Sequence, residues 1–420
     1  MLRDRRGRAG ARGDGDGGLS GRSHGTAAPL TWRTFAGVGE IAADVWRGML
    51  PDDPESWDFY RLAEQVPPPG FKLGAIAVYD GDAPVAVAPL FRIDYRIDTP
   101  FQGMARRIGD WLYARVPRLV SFPVIGIGSP MSDALALGFA PGLSTAAREA
   151  AFECMLTGLR AEARAQRSAL IAIKSIGSEV EALAGPLARH GFNRVTTVPV
   201  AVIDLDHNGF EDYLAALPKK DRSYLRRKIK SAEGLRIEVR STLEGLEEEV
   251  AALFQCTLAE SKVDYGEFEQ VHPDYFGTLS RGLANAPEEA RPVIMLFWLG
   301  ETLIGFEMSL AGRRRVLTKH IGMRYPQARD HNLYFVSGLK LIEETFARGR
   351  VELELGATTY RTKLLFGARL ERRWLCFRFR GGLANWMLRP LAPLFDFERN
   401  DAEIGQLKSE RPGALFRDGA

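Results

Sequence analysis

The sequence predicts an α/β fold of the α+β mixed-sheet type, built from two related lobes. Hydrophobic residues make up 45% of the chain and charged residues 26%, values that are typical of globular proteins. Short segments with strand periodicity alternate with longer segments of helix periodicity, and this order occurs twice along the chain. With 420 residues, the chain is also long enough for two domains of ordinary size.

The first lobe is predicted to occupy residues 29–180, after a tail at residues 1–28. We expect the tail to be disordered, because its Gly, Arg and Asp residues bury too little apolar surface to offset the entropy lost on ordering. Residues 74–97 predict a β-hairpin around an Asp-Gly-Asp turn. Residues 145–166 have the apolar spacing of a helix, and residues 170–176 have that of a strand.

The second lobe is predicted to occupy residues 181–385, before a C-terminal tail at residues 386–420. Its predicted elements are strand 198–206, helix 210–232, strand 235–241, helix 243–261, three strands within 291–325, helix 332–349 and strand 350–356. Consecutive strands followed by a helix and a further strand are typical of a mixed sheet with helices packed on it. The hairpin of the first lobe resembles a degenerate counterpart of the hairpin at residues 293–310.

Charge, cysteine content and hydropathy limit the binding partners, the cellular location and the membrane association that we expect. The 56 Lys and Arg residues nearly balance the 53 Asp and Glu residues, so no global field attracts the protein to DNA. The three cysteines lie far apart without a metal-ligand or disulfide pattern, which favours a reducing, cytoplasmic location and no metal. No apolar run reaches the roughly 18 residues of a membrane span, so we expect no transmembrane segment.

Two motifs carry a resemblance to a known family. They are LPKKDRSYLRRKIKSAEG at residues 217–234 and LELGATTYRTKLLFGARL at residues 353–370. Together they resemble the FemAB-like and cellulose-biosynthesis-type (CelD-like) acyltransferases of the GNAT superfamily, over residues 180–380 and more weakly over 30–176. The resemblance implies tandem GNAT-like lobes. It also implies transfer of an acyl or aminoacyl group to an amine or hydroxyl of a cell-envelope (peptidoglycan), polysaccharide or small-molecule acceptor.

The identity of the donor stays open at this point. Ordinary GNAT enzymes hold the coenzyme A pyrophosphate on a Gly-rich loop at a helix N-terminus, where free N–H groups favour an anion. The corresponding segment here, residues 324–334, has no glycine. Acyl-CoA, an aminoacyl-tRNA and an acyl carrier protein are therefore all candidate donors.

A dense basic run supplies the predicted donor-binding residues. It comprises Lys219, Lys220, Arg222, Arg226, Arg227, Lys228 and Lys230. On a helix, the spacing of four places Arg222, Arg226 and Lys230 on one face, which suits a diphosphate, a tRNA backbone or an anionic lipid head group. The alternative is a solvated helix face. We assign Arg222, Arg226 and Arg227 to donor binding, with His331 and Asn332 at the next helix start; the simpler role for Asn332 is a helix cap.

Four residues are candidates for catalysis. Lys363, in the loop after a strand, can stabilise an oxyanion, and Tyr360 can protonate a leaving thiolate. His320, at a strand end, or Glu307, in mid-strand among apolar neighbours, can act as the base that deprotonates the acceptor. The alternatives are a lysine that only extends to solvent, a core tyrosine, a structural histidine and a carboxylate with a structural partner.

Two further segments leave alternatives open. Gly126–Asp133 follows a buried strand and is either a substrate-binding loop or a plain turn. The aromatic and Arg-rich segment after Phe379 either docks on the core or makes peripheral contact with a membrane. A catalytically silent GNAT-fold protein that binds tRNA or an anionic polymer is the alternative to an enzyme, since a fold does not prove activity.

Overall fold

The computed structural model describes residues 7–8, 29–96, 111, 115, 121–261, 268, 270–287, 290–410 and 415–416. The tail predicted at residues 1–28 therefore lies outside the described residues, except for Gly7–Arg8. These two residues pair antiparallel with Thr31 and Trp32.

One continuous sheet runs through the described part of the chain. Its strands are β1 (Gly7–Arg8), β2 (Thr31–Phe35), β3 (Lys72–Asp80), β4 (Ala83–Arg96), β5 (Ser121–Ile127), β6 (Gly138–Phe139), β7 (Leu170–Ile176), β8 (Asn193–Asp204), β9 (Leu235–Arg240), β10 (Pro292–Leu299), β11 (Thr302–Ala311), β12 (Arg315–Met323), β13 (Glu352–Glu354) and β14 (Arg369–Phe379). Their order is β1-β2-β3-β4-β5-β7-β14-β8-β13-β12-β11-β10-β9, and β6 pairs with β4 off this path.

Helices cover the sheet. They are α1 (Ala43–Met49), α2 (Trp57–Ala63), α3 (Thr145–Ala165), α4 (Glu179–Ala182), α5 (Ala184–Arg189), α6 (Phe210–Ala216), α7 (Lys219–Lys230), α8 (Glu247–Glu260), α9 (Tyr275–Leu283), α10 (Gln327–Asp330), α11 (Leu333–Ala347), α12 (Tyr360–Leu365), α13 (Gly382–Leu388), α14 (Phe397–Asn400) and α15 (Ala402–Glu410), with 3-10 turns at Val38–Glu40 and Arg389–Phe395. None of the helices in the described ranges is long and apolar enough to cross a membrane.

The two halves of the chain repeat one order of elements. Each runs through a strand, two helices, a hairpin, a further strand, a long helix, a strand, a short helical segment and a last strand. The last strands are exchanged, because β8 of the first half pairs with β13 of the second, and β14 of the second pairs with β7 of the first. Each half thus completes the sheet of the other. The predicted mixed α/β class is confirmed, and the predicted lobe boundaries stay predictions.

The hydrophobic core also joins the halves. Trp46 and Phe59 of the first half belong to the same buried cluster as Phe254, Phe276 and Phe306 of the second. Burying an aromatic or aliphatic side chain of this size contributes about 1.5–3 kcal/mol to folding. The interface between the halves is therefore an apolar core, so polar groups enclosed beside it need specific partners.

The predicted helix at residues 210–232 is divided in two. Helix α6 ends at Ala216, and α7 begins at Lys219 with Pro218 in the cap position. Proline has no N–H to continue the hydrogen bonds of α6, although it is compatible with a helix start. The break lets the basic helix α7 take its own direction.

Candidate functional site

Strands β12 and β13 form a fork. They pair in parallel only where Arg315–Leu317 meets Glu352–Glu354. Beyond this point β12 continues beside β11 as far as Met323. The chain after β13 instead stays with β8, because Leu355 N–H donates to the Ala201 carbonyl at 2.8 Å and Ala201 N–H donates to the Gly356 carbonyl at 3.0 Å. The two backbones diverge and leave an opening in the sheet, which we call the fork.

A β-bulge lies on β12 at the start of the fork. Thr318 is paired with Ser309 of β11 and His320 with Met308, so Lys319 is an extra residue in the ladder. Bulges bend a strand and are frequent beside active sites, because they redirect side chains that a regular strand would alternate. Here the bulge lies between the two chemistry-bearing residues Thr318 and His320.

A loop of the first half forms a wall of the fork. Lys319 donates to the Met131 carbonyl, and a Cβ placed on Gly356 would lie 3.1 Å from the Asp133 Oδ2 atom. The chain just after this loop also contacts the end of β7 in the first half, because Leu135 N–H donates to the Ser175 carbonyl at 3.0 Å. The Gly126–Asp133 segment therefore contributes to the fork of the second half.

Charged side chains from both halves meet around this loop. We call them the inter-lobe cluster: Glu55, Asp133, Lys174, Lys319, Glu354 and Lys363. Lys319 forms an ion pair with Glu55, and their side chains are only 6% and 4% exposed. Asp133 is exposed and interacts electrostatically with Lys174, Lys319 and Lys363. The cluster is thus buried on the side of the core and open to solvent at Asp133.

Burial and neighbouring charges shift the pKa values within the cluster. Burial lowers the pKa of Lys363 to about 8, although Asp133, Glu307 and Glu354 oppose this shift. Burial likewise lowers the pKa of Lys174. The pKa of Lys319 is raised, because the Glu55 carboxylate outweighs the effect of burial. Two buried amines with weakened proton affinity at a cleft are typical of functional sites.

Glu55→Gln is expected to destabilise the fold by about 3–5 kcal/mol, since it leaves the Lys319 ammonium buried without its carboxylate. The shift of the urea midpoint measures this loss. Asp58→Asn is the matched control, because it removes a carboxylate from a more exposed pair with Arg47 and should cost about 1 kcal/mol or less. Equal losses in the two variants would contradict a special role for the Lys319–Glu55 pair.

Glu307 lies beneath the fork on β11. Its side chain is buried, and its carboxylate accepts hydrogen bonds from Ser337 Oγ and, at 3.1 Å, from Thr318 Oγ1. Burial raises the pKa of Glu307, while the two hydroxyls and Lys363 act against this rise. Because Thr318 is half-buried on the diverging part of β12, its hydroxyl connects the carboxylate with the fork.

Lys363 and Tyr360 lie in the short helix α12 rather than in the loop that the sequence suggested. Lys363 Nζ donates to the Gly356 carbonyl at 3.1 Å and to the Ala357 carbonyl. An ammonium has three N–H donors, so these bonds leave one for another acceptor. The Tyr360 hydroxyl donates to the Pro199 carbonyl at 3.0 Å. The two side chains therefore have different partners, and it is Lys363 that borders the fork.

His320 lies in an aromatic pocket. Its Nε2 atom is 3.0 Å from the Tyr275 hydroxyl, and the rings of Phe254 and Phe276 approach it edge-on. Burial, together with the charge of Lys319, lowers the pKa of His320 to about 3. The imidazole is therefore neutral at physiological pH, and such a weak base is poorly matched to proton removal from an amine.

The basic helix α7 meets the start of α11. Lys228 Nζ donates to Asn332 Oδ1, and Ser231 Oγ donates to the His331 carbonyl at 3.0 Å. Asn332 occupies the N-cap position of α11 as expected, but with a φ of 49° its side chain makes no cap bond, and its amide oxygen accepts from Lys228 instead. We call this contact the α7–α11 junction. It lies at the end of the loop that follows β12.

The predicted arginines lie on the surface of α7. Arg226 pairs with Glu211 at 3.1 Å, and both side chains are exposed. Arg222 donates to the Ala215 carbonyl at 2.6 Å, and Arg227 lies over the Tyr224 ring. Exposed ion pairs of this kind contribute little to stability, which leaves these cations accessible to a ligand. Their role in donor binding stays a prediction.

Residues 219–364 match the acetyltransferase (GNAT) domain family. The matched segment contains α7, the bulged strand β12, Glu307 and Lys363, and with them most of the fork. The match supports acyl transfer as the general class of reaction and confirms the GNAT part of the predicted resemblance. The more specific FemAB-like assignment stays a prediction.

A solved structure of low sequence identity supports the fold over most of the chain. The crystal structure of FemX aligns with a TM-score of 0.53 at 12% identity, over 80% of this chain and 95% of that chain. A tandem GNAT protein from the clavulanic acid biosynthesis pathway aligns with a TM-score of 0.49 at 14% identity, over 84% of this chain and 99% of that chain. No curated protein sequence matches the chain.

The segment that matches the GNAT family does not hold all of the site. Asp133, Lys174 and Glu55 lie outside it, in the first half of the chain, and were not among the predicted site residues. Lys174 carried a signal in the sequence, since it is a charged residue inside the apolar strand LIAIKSI. Within the described residues, no group of three or more His, Cys, Asp or Glu side chains is placed to hold a metal ion.

Proposed function

We propose that the protein transfers an acyl or aminoacyl group from an activated donor to an amine or hydroxyl, and that the transfer takes place at the fork. The observation that carries the proposal is the bulged and forked strand β12, which Lys363 borders and beneath which the buried carboxylate of Glu307 lies. In this reaction the acceptor atom attacks the donor carbonyl carbon, and the bond from carbon to the leaving sulfur or oxygen then breaks.

Lys363 is proposed to stabilise the oxyanion that forms during this attack. Its remaining N–H can donate to the carbonyl oxygen, while the bonds to Gly356 and Ala357 hold the ammonium in place. In a buried site, a preorganised cationic donor of this kind stabilises developing negative charge more strongly than water does. No covalent nucleophile is required, so proximity and electrostatic preorganisation account for the rate.

Glu307 is proposed as the proton acceptor, in preference to His320. A raised pKa makes a carboxylate a better base at neutral pH, whereas the low pKa of His320 makes it a worse one. The proton would leave the acceptor through the Thr318 hydroxyl, which donates to Glu307. The proton taken up in this way balances the one that the leaving thiolate or alkoxide gains on release.

The α7–α11 junction is proposed to bind the phosphates of the donor. Lys228 and the N-terminus of α11 combine a cation with a helix end that favours anions, and Arg226 and Arg227 extend the positive surface along α7. Acyl-CoA fits this arrangement with its diphosphate. An aminoacyl-tRNA, which the FemAB-like resemblance also allows, would use the longer exposed face of α7. Asp133, which is exposed at the edge of the inter-lobe cluster, is proposed to attract an acceptor that arrives as an ammonium ion.

The exposed basic face of α7 also supports a second candidate function. A catalytically silent protein would use the cations of α7 to bind tRNA or an anionic polymer. Its affinity would fall steeply with salt and would not depend on Lys363. Only the transferase proposal requires an acyl acceptor, which would be a cell-envelope precursor, a polysaccharide or a small molecule.

Thermal-shift titrations with acetyl-CoA, longer acyl-CoAs and coenzyme A, followed by thiol-release assays with an amine panel, test the proposal. A ligand at about 100 times its Kd stabilises the folded state by about 2.7 kcal/mol, which raises the Tm measurably. We expect Lys228→Ala to abolish the shift. Lys340→Ala, on the neighbouring helix α11, is the control and should retain it. If no acyl-CoA shifts the Tm and neither an aminoacyl-tRNA nor an acylated carrier protein is consumed as donor, the transferase proposal is wrong.

A further inference from the structure

Four large apolar side chains near the C-terminus are exposed together. They are Leu383, Trp386, Met387 and Leu394, which we call the apolar patch. Leu383 is 71% exposed and Trp386 is 73% exposed. Single exposed apolar residues are common on protein surfaces, but grouped ones mark sites of interaction. All four belong to α13 and the 3-10 turn that follows it.

The segment that carries the patch is anchored firmly to the sheet. Asn385 accepts from Phe379 N–H at 3.1 Å and donates to the Gly191 carbonyl at 2.8 Å. Farther on, Asn400 donates to the Leu394 carbonyl at 3.0 Å. Ala392 packs into a small core cluster, so the segment has an inner face of its own. The apolar side chains therefore point outward from a fixed support.

An arginine group lies beside this segment. It consists of Arg160 and Arg164, one turn apart on α3, and Arg378 on β14. Arg160 approaches His190 Nδ1 at 3.4 Å, and Arg378 donates to the His190 carbonyl, next to the Gly191 that holds Asn385. The three guanidinium groups lie close enough that each of Arg160 and Arg378 is affected by the charge of another member of the group.

Within the residues that the structure describes, no carboxylate neutralises the arginine group. The neighbouring carboxylate, Glu153, is paired with Arg189 at 2.8 Å and with His190 at 2.8 Å. In the described part of the chain, Arg160, Arg164 and Arg378 form no ion pair with a carboxylate. Exposed Arg380 precedes the apolar patch in the chain, and exposed Arg389 lies between Met387 and Leu394 of the patch, so both add positive charge to this segment.

We propose that this face, the apolar patch with the arginine group, docks on the surface of an anionic lipid bilayer. A tryptophan with leucine and methionine neighbours is suited to the boundary between head groups and acyl chains. The exposed side chains of Arg164, Arg380 and Arg389 add to the attraction to an anionic surface, while Arg160 is half-buried and Arg378 is buried behind them. The exposed aliphatic side chains favour lipid over a nucleic acid, which the arginines alone would suit equally well. The protein would lie on the bilayer with α13 in the interface.

Sedimentation of the full chain with vesicles tests the proposal. We expect binding to vesicles of equal parts phosphatidylglycerol and phosphatidylcholine, and binding at least about tenfold weaker to phosphatidylcholine alone. The double variant Trp386→Ser, Met387→Ser should lower the affinity for anionic vesicles by at least about tenfold, because two large apolar groups no longer enter the bilayer. Val351→Ser, which changes an exposed apolar residue outside the patch, should bind as the parent does.

A second double variant tests the charges. Arg160→Gln with Arg164→Gln should weaken binding at low salt and have little effect at high salt, since salt screens exposed charges. Absence of sedimentation with anionic vesicles would overturn the proposal. It would also be overturned if the patch variant abolished a dimer seen by light scattering, which identifies a second copy as the occupant. The proposal would also be overturned if RNA bound to the protein in a way that depends on the arginines but not on Trp386, because the ligand of this surface would then be a nucleic acid.

Discussion

Replacing Lys363 by methionine is expected to lower kcat by about 10²–10³-fold, the usual effect of removing one oxyanion donor. Methionine keeps much of the length and volume of the side chain, while the ammonium and its hydrogen bonds to Gly356 and Ala357 are lost. Because donor phosphates are proposed to bind at the α7–α11 junction, the thermal shift caused by acyl-CoA should persist. Thiol release under single-turnover conditions measures the loss.

The matched control for this variant is Arg361→Ala in the same short helix. Arg361 points outward and pairs with Glu410, and both side chains are half exposed. Its loss should leave kcat within about twofold, because surface pairs contribute about 1 kcal/mol or less and this one does not border the fork. A Lys363→Met enzyme that is as active as Arg361→Ala would contradict the oxyanion role.

The pH profile provides a second readout for Lys363. Its pKa of about 8 lies below the ordinary lysine value, so the ammonium is present at pH 7 and is lost as the pH rises through 8. The transfer rate of the parent should therefore fall on the alkaline side of about pH 8, and the residual rate of Lys363→Met should not show this fall. A lysine with a purely structural role would change stability without changing the profile.

Much of the fold could be predicted from the sequence, because its elements are local. Residues 170–176 form a strand with the predicted bounds, and the helix predicted at residues 145–166 is α3. These segments have a clear apolar period, and burial of that face determines their type. The division of residues 210–232 at Pro218 could also have been recognised, since proline marks a helix start there.

The exchange of β8 and β14 could not be predicted in this way. Which strand lies next to β7 depends on contacts between residues far apart in the chain, such as Cys376 with Ile173. Periodicity shows which face of a strand is buried but not which neighbour buries it. The inter-lobe cluster depends on this exchange and on the loop at Gly126–Asp133. The sequence therefore did not predict which residues form the cluster. Glu307 was found because it interrupts an apolar strand, and Lys363 because it belongs to the second motif that carries the family resemblance.

Contacts between residues far apart in the chain also explain why His320 and Tyr360 have partners that the sequence did not predict. The sequence shows a titratable group near the end of a strand, but not the aromatic rings of Phe254 and Tyr275 that enclose the imidazole. Phe254 and Tyr275 belong to α8 and α9, and each precedes His320 by 45 or more residues in the chain. A motif can therefore identify a residue type suited to catalysis, whereas burial determines whether its pKa suits the task.

Glu307→Gln is expected to lower kcat by about 10²–10⁴-fold, the usual contribution of a positioned base. The amide still fills the site and can accept a hydrogen bond from Thr318 or Ser337, but it cannot take up a proton. In the parent, the rate should rise with pH through the raised pKa of Glu307, because only the carboxylate form is the base. The residual activity of the glutamine variant should lack this rise.

Stability separates this role from a structural one. The folded protein binds the Glu307 proton more tightly than the unfolded chain, so the ionised carboxylate costs stability as pH rises from the unfolded pKa through the raised folded value. Removing that charge should leave the Tm at neutral pH unchanged or higher. Glu162→Gln is the control, since it changes a buried carboxylate in the first half that accepts from Thr34. We expect this control to keep the parent pH profile. A fall in Tm at unchanged kcat in Glu307→Gln would assign the carboxylate to holding α11 on the sheet and would exclude it as the base.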